Sequence, residues 1–192
     1  MRTGLSLLVM GTVVAGMTAL PSPVAVTAAE ARQGGPRTFS ARLVSFNEVP
    51  AVSSTAGGTF RARLNNDGDA LDYKLTYSGI TDGAAVTQAH IHLGQTHTNG
   101  GIMVWLCSGT LTDPTGLAPA CPVAPGGSVE GTITAANIIQ TPASPAPPAP
   151  PGQGVAPGDF EKFVEALREG AAYANVHSDR FPGGELRGQV KK

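Results

Sequence analysis

The sequence predicts an all-β fold, an antiparallel sandwich or barrel of about eight strands with one short helix near 159–169. Three observations predict it. Eight short runs rich in β-formers recur with turn signals between them. Several of these runs alternate apolar and polar residues with period two. Gly, Pro, Ala, Thr and Val dominate while only 14% of residues are charged, which suits an exported β-rich domain better than a helical enzyme.

The chain opens on an export signal. Arg2 supplies a small positive start, Gly4 to Leu20 is almost wholly apolar, and "AVTAAEA" offers a small-residue cut after Ala28 or Ala29. The run is shorter than the about 20 apolar residues of a bilayer span, and Pro21 and Pro23 end it. The expected layout is a signal peptide at 1–28, a flexible segment at 29–37 and a single domain at 38–190. Cleavage removes Arg2 and leaves 12 basic against 14 acidic residues, a net of −2. No basic cluster remains, so neither nucleic acid nor an anionic membrane is expected as a partner. The expected location is extracytoplasmic, in periplasm or medium.

The strands follow in order. "TFSARLVSF" comes first. In "GGTFRARL", Phe60, Ala62 and Leu64 share one side and Arg61 and Arg63 the other. In "LDYKLTY", Leu71, Tyr73, Leu75 and Tyr77 share one side. Between these two, "NNDGD" at 65–69 is a turn, since Asn, Asp and Gly tolerate positive φ. "VTQAHIHL" and "GIMVWLC" follow, the latter placing Trp105 in an apolar run read as core. Cys107 and Cys121 are the only cysteines, and export predicts that they pair. Closing a loop of about 15 residues is worth on the order of 3 kcal/mol. After "SVEGTITA" comes a Pro-rich stretch at 141–158, which cannot pair in a sheet and reads as a surface loop. Phe160, Phe163, Val164 and Leu167 then fall at i, i+3, i+4 and i+7, one face of a helix capped by Gly158 or Asp159 and ended by Gly170.

The last two strands, "AAYANVH" and "GELRGQV", form a hairpin around "SDRFPGG". A register whose paired numbers sum to 362 sets Val176, Ala174 and Ala172 opposite Leu186, Gly188 and Val190. It sets His177, Asn175 and Tyr173 opposite Glu185, Arg187 and Gln189. Apolar meets apolar and polar meets polar, and a one-residue slip would mix the sets.

The candidate chemistry lies on that polar face. His90 and His92 stand two apart in a strand and point to the same side, about 6.5–7 Å apart. If their strand neighbours the hairpin, His90, His92, His177 and Glu185 converge. Three imidazoles suit copper or zinc, with Glu185 as a fourth ligand or orienting a histidine. Two other readings stay open. Asn175, His177, Glu185 and Arg187 could satisfy one another as a hydrogen-bonded polar cluster, or the histidines could do acid–base work. His97 falls in the loop "GQTHTNGG". No serine-nucleophile elbow or phosphate-binding glycine loop is found.

Taken together, "FNEVPAV", "AGGTF", "LDYKLTYSGI", "AHIHLG…NGGIMVWL" and "YANVHSDRFPGGELRGQV" resemble the CHRD domain, the module named for chordin and widespread in secreted bacterial proteins. The resemblance runs from about Thr38 to Val190. It implies an immunoglobulin-like β-sandwich and attaches no general enzymatic activity. Chordin binds growth factors, but the cysteine-rich modules associated with that binding are absent from this chain, so that property is not carried over. Locally, His-x-His also resembles a copper-binding strand of copper/zinc superoxide dismutase, without the rest of that ligand pattern. The expected function is a secreted binding or structural module with no catalysis of its own and an unidentified protein or matrix partner. The alternative is a copper- or zinc-binding protein. A copper-dependent redox enzyme stands third.

Overall fold

The computed structural model describes residues 34–81, 84–139 and 153–192. The signal peptide, most of the flexible segment and residues 141–152 of the Pro-rich stretch lie outside them. Among the described residues no helix is long and apolar enough to cross a membrane.

All eight expected strands form. They are β1 (Thr38–Val44), β2 (Gly57–Leu64), β3 (Leu71–Ser78), β4 (Val86–Leu93), β5 (Ile102–Ser108), β6 (Gly127–Ile133), β7 (Ala172–Ser178) and β8 (Leu186–Gln189). The helix α1 spans Phe160–Arg168. Asp159 caps it by accepting a hydrogen bond from the Lys162 N–H at 3.0 Å, and Phe160, Phe163, Val164 and Leu167 are its buried face.

The sequence expectation of an immunoglobulin-like sandwich is met as an all-β, antiparallel, eight-stranded fold. Its division into two sheets is not: the strands are hydrogen-bonded into one sheet in the order β5-β4-β7-β8-β1-β2-β3-β6. The join is thin. β8 meets β1 through the Val44–Arg187 pair and an isolated bridge between Ser40 and Lys191. The backbones approach so closely there that a Cβ on Gly188 would lie 2.3 Å from the Arg42 carbonyl oxygen. Beyond this seam the sheet curls nearly into a barrel. The Tyr73 hydroxyl on β3 reaches the Leu106 carbonyl on β5, and the Ile139 N–H donates to the Met103 carbonyl.

Alternation decides which side is core. Phe39, Ala41 and Leu43 from β1, Phe60 and Leu64 from β2, Leu71, Leu75 and Tyr77 from β3 and Ile91 from β4 join one buried cluster. Arg61, Arg63, Asp72 and Lys74 face outward and are exposed. Strand β7 breaks this rule, because all seven of its residues are buried. Its outer face is therefore covered, and that cover encloses the site.

Candidate metal centre

Strands β4 and β7 are neighbours, with Gln88, His90 and His92 paired to His177, Asn175 and Tyr173. The expected hairpin register also forms: Tyr173–Gln189, Ala174–Gly188, Asn175–Arg187 and Val176–Leu186. Both pairings place polar residues on the sheet's outer face, and the side chains of His90, His92 and His177 meet there. Each offers a ring nitrogen within 4.8 Å of the others. Donors about 2 Å from a common ion lie roughly 3.5 Å apart, so small ring rotations would suffice to coordinate one.

The three rings are buried, His90 completely. Two pieces of chain bond to them, and a third bonds to the neighbouring Asn175. The turn after β7 contributes the Pro182 carbonyl, which lies 3.0 Å from His177 Nδ1. The loop after β4 contributes the Gly100 carbonyl, 3.0 Å from His92 Nδ1. A carbonyl oxygen can only accept, so both Nδ1 atoms carry the proton and both Nε2 atoms keep a free lone pair. The third piece is the segment after β1, where the Glu48 carboxylate accepts from the Asn175 amide.

Those lone pairs have nothing to bond. His92 Nε2, His177 Nε2 and both ring nitrogens of His90 each expose less than 1 Å² and have no hydrogen-bond partner. An unsatisfied buried polar atom costs on the order of 1–3 kcal/mol. Carbonyl-oriented imidazoles with inward-facing lone pairs form the arrangement that metal-binding histidines use.

Burial first, then the neighbouring imidazoles His177 and His92, lowers the His90 pKa to about 2. Burial likewise lowers His92 to about 3, against the raising effect of its bond to Gly100. Burial lowers His177 too, against its bond to Pro182. All three rings are neutral at pH 7, the state a metal ligand requires.

Aromatic rings wall the site. Tyr173 stacks on His92 with centroids 4.7 Å apart, and Trp105 stands edge-to-face with His90 at 4.4 Å. Trp105 is thus corrected from core to site wall. It is half-buried on the outer side of β5, opposite His90 in the ladder. Alternation within an apolar strand gave no signal to separate these roles.

Other expected members take different places. Glu185 is not in the donor group. Its carboxylate accepts from Ser54 Oγ at 2.7 Å, Thr81 Oγ1 at 3.0 Å and Ser178 Oγ at 2.7 Å, which ties the end of the hairpin to the body. Arg187 lies 3.5 Å over the Tyr173 ring and donates to Asn99 Oδ1 and to the carbonyls of Gln95 and Thr98, so it clamps the covering loop. Asn175 donates to Glu48 and to the Leu186 carbonyl. His97 sits exposed in the loop with a φ of 65°. Cys107 and Cys121 form the expected disulfide.

Sequence reasoning missed Glu48. It is 7% exposed, and burial pushes its pKa up to about 7 against the lowering effects of Asn175, Arg187 and the Val49 N–H. A glutamate in a short motif ahead of a proline gave only a faint signal.

The family model described as CHRD domain matches residues 39–190, which takes in every residue of the site. No curated protein and no solved structure matches the chain.

Proposed function

The chain belongs to the CHRD domain family, and from that premise we propose that it is a secreted binding module that holds one copper or zinc ion through His90, His92 and His177. One observation carries this reading. Buried ring nitrogens of His90, His92 and His177 have no hydrogen-bond partner, and each of these histidines offers a ring nitrogen within 4.8 Å of the others. A structural polar cluster would satisfy its own members, as Asn175, Glu48 and Arg187 do nearby. These histidines leave theirs unbonded.

The same closure argues for holding an ion rather than for catalysis. A catalytic metal keeps a coordination position open to substrate. Here Trp105, Tyr173 and the loop clamped by Arg187 cover the donors. The Cys107–Cys121 disulfide supports an oxidising compartment outside the cytoplasm.

The test is direct. The mature protein is stripped with a chelator, incubated with zinc(II), copper(II) or, anaerobically, copper(I), dialysed, and its metal measured. About one ion per chain is expected, with retention lost in His92→Ala and His177→Ala. Wild-type protein that retains no metal, or histidine variants that retain as much as wild type, would overturn the reading.

A further inference from the structure

We infer, resting on that reading, that the ion these histidines hold is monovalent copper, Cu(I), rather than Zn(II) or Cu(II). Three features of the pocket converge on this.

The first is charge. Among the described residues the donor group consists of three imidazoles, with no carboxylate and no thiolate. Both cysteines are locked in the disulfide, and Glu185 is held by Ser54, Thr81 and Ser178. Glu48 is turned to Asn175, and the Arg187 guanidinium near it offsets its charge. That guanidinium also stacks on the ring that stacks on His92. The cost of burying an ion rises with the square of its charge, so a dication costs roughly four times a monocation. Nothing in the donor set neutralises either charge of a dication.

The second is room. Zinc(II) with three protein ligands completes a tetrahedron with water or another ligand, and copper(II) favours four or more donors. The unbonded nitrogens each expose less than 1 Å², so no water can sit against them as the pocket stands. An ion bound by the three nitrogens alone, after the small ring rotations that draw them together, needs no fourth ligand or water. Closed-shell Cu(I) accepts three-coordination.

The third is the wall. His90 meets Trp105 and His92 meets Tyr173 through ring faces and edges. Such a lining is weakly polar and favours the less charged ion.

The experiment is an anaerobic competition on the full mature protein. Cu(I), added as its acetonitrile salt, is titrated against a colorimetric Cu(I) chelator, and Zn(II) against a zinc chelator. Cu(I) is expected to bind more tightly than Zn(II) by roughly a thousandfold or more. X-ray absorption of the Cu(I) form is expected to show nitrogen neighbours only. Affinity for Zn(II) equal to or above that for Cu(I), or an oxygen ligand on bound Cu(I), overturns this inference and leaves the metal reading standing. Failure to bind either ion overturns both.

A variant isolates the charge argument. Gln88 is half-buried, paired with His177, and shares the face of His90. Gln88→Glu adds an anion there without changing size, and it is expected to narrow the Cu(I)-to-Zn(II) ratio by about tenfold or more. An unchanged ratio in folded variant protein would sink the charge argument and the inference with it.

Discussion

Glu48 shows how far one buried group can shape the pH response. Its pKa stands at about 7 in the fold, chiefly through burial, against an ordinary value of 4.5. The native state therefore binds this proton more tightly than the unfolded chain does. The stability it contributes is present below pH 4.5 and is lost as pH rises through 7, a difference on the order of 3 kcal/mol. Glu48→Gln keeps an acceptor for the Asn175 amide and removes the titration. The variant should be more stable than wild type by about 2 to 3 kcal/mol at pH 8, with the advantage closing toward pH 4.5. Urea denaturation of both proteins across that range checks it, and a constant difference would show that burial of Glu48 does not govern its titration. The surroundings of this residue also explain a glycine. Gly184 has a φ of 128°, and a Cβ there would lie 2.6 Å from Glu48 Oε1 and 2.8 Å from the Asn175 amide nitrogen. The second glycine of "FPGG" makes the space in which the carboxylate sits.

At the scale of elements, local pattern and distant cover separate cleanly. The alternation in "TFRARL" and "LDYKLTY" predicts the buried faces of β2 and β3 because one side of each strand meets water. Matching polar to polar predicts the β7–β8 register for the same reason. What covers a face leaves no such mark. The segment carrying Glu48 lies 127 residues from Asn175, and Ser54 lies 131 from Glu185. Period two places Glu185 on a polar face but cannot say that Ser54, Thr81 and Ser178 draw its carboxylate away from the histidines. The disulfide was legible, since the two cysteines of a chain whose sequence reads as exported have only each other. It ties the end of β5 to the strand-poor segment before β6, where Ser108 and Ala120 form a lone bridge. Replacing both cysteines by serine should lower stability on the order of 3 kcal/mol, read as a shifted urea midpoint. Metal retention should be unchanged, because Cys107 faces the core while Trp105 faces the site. An unmoved midpoint, or metal lost from the folded variant, would contradict this placement.

Across the whole molecule the titrating groups pull in opposite directions, and their number decides the outcome. His90, His92 and His177 are neutral in the fold and have their pKa values lowered, to about 2 and about 3 for the first two. Unfolding frees them to protonate below about 6.5. Their contribution is therefore present above that pH and is lost as pH falls. Between pH 7 and pH 5, His90 and His92 together remove about 4 kcal/mol from the metal-free protein, while Glu48 returns about 2. His177 adds to the loss. The metal-free protein should thus be most stable near neutrality and melt at lower temperature at pH 5 than at pH 7. A bound ion changes the balance, because it stabilises only the folded state. With free metal a hundredfold above its dissociation constant, the gain is about 2.7 kcal/mol, or roughly 5–10 °C in Tm for a chain of this size. Protons compete with the ion for the same three lone pairs, so that gain must shrink as pH falls. Calorimetry with and without copper at pH 7 and pH 5 tests both statements. A metal-free Tm that does not fall on acidification would mean that the histidines are not the buried neutral groups described. A metal-induced rise equally large at both pH values would place the ion somewhere other than on these imidazoles.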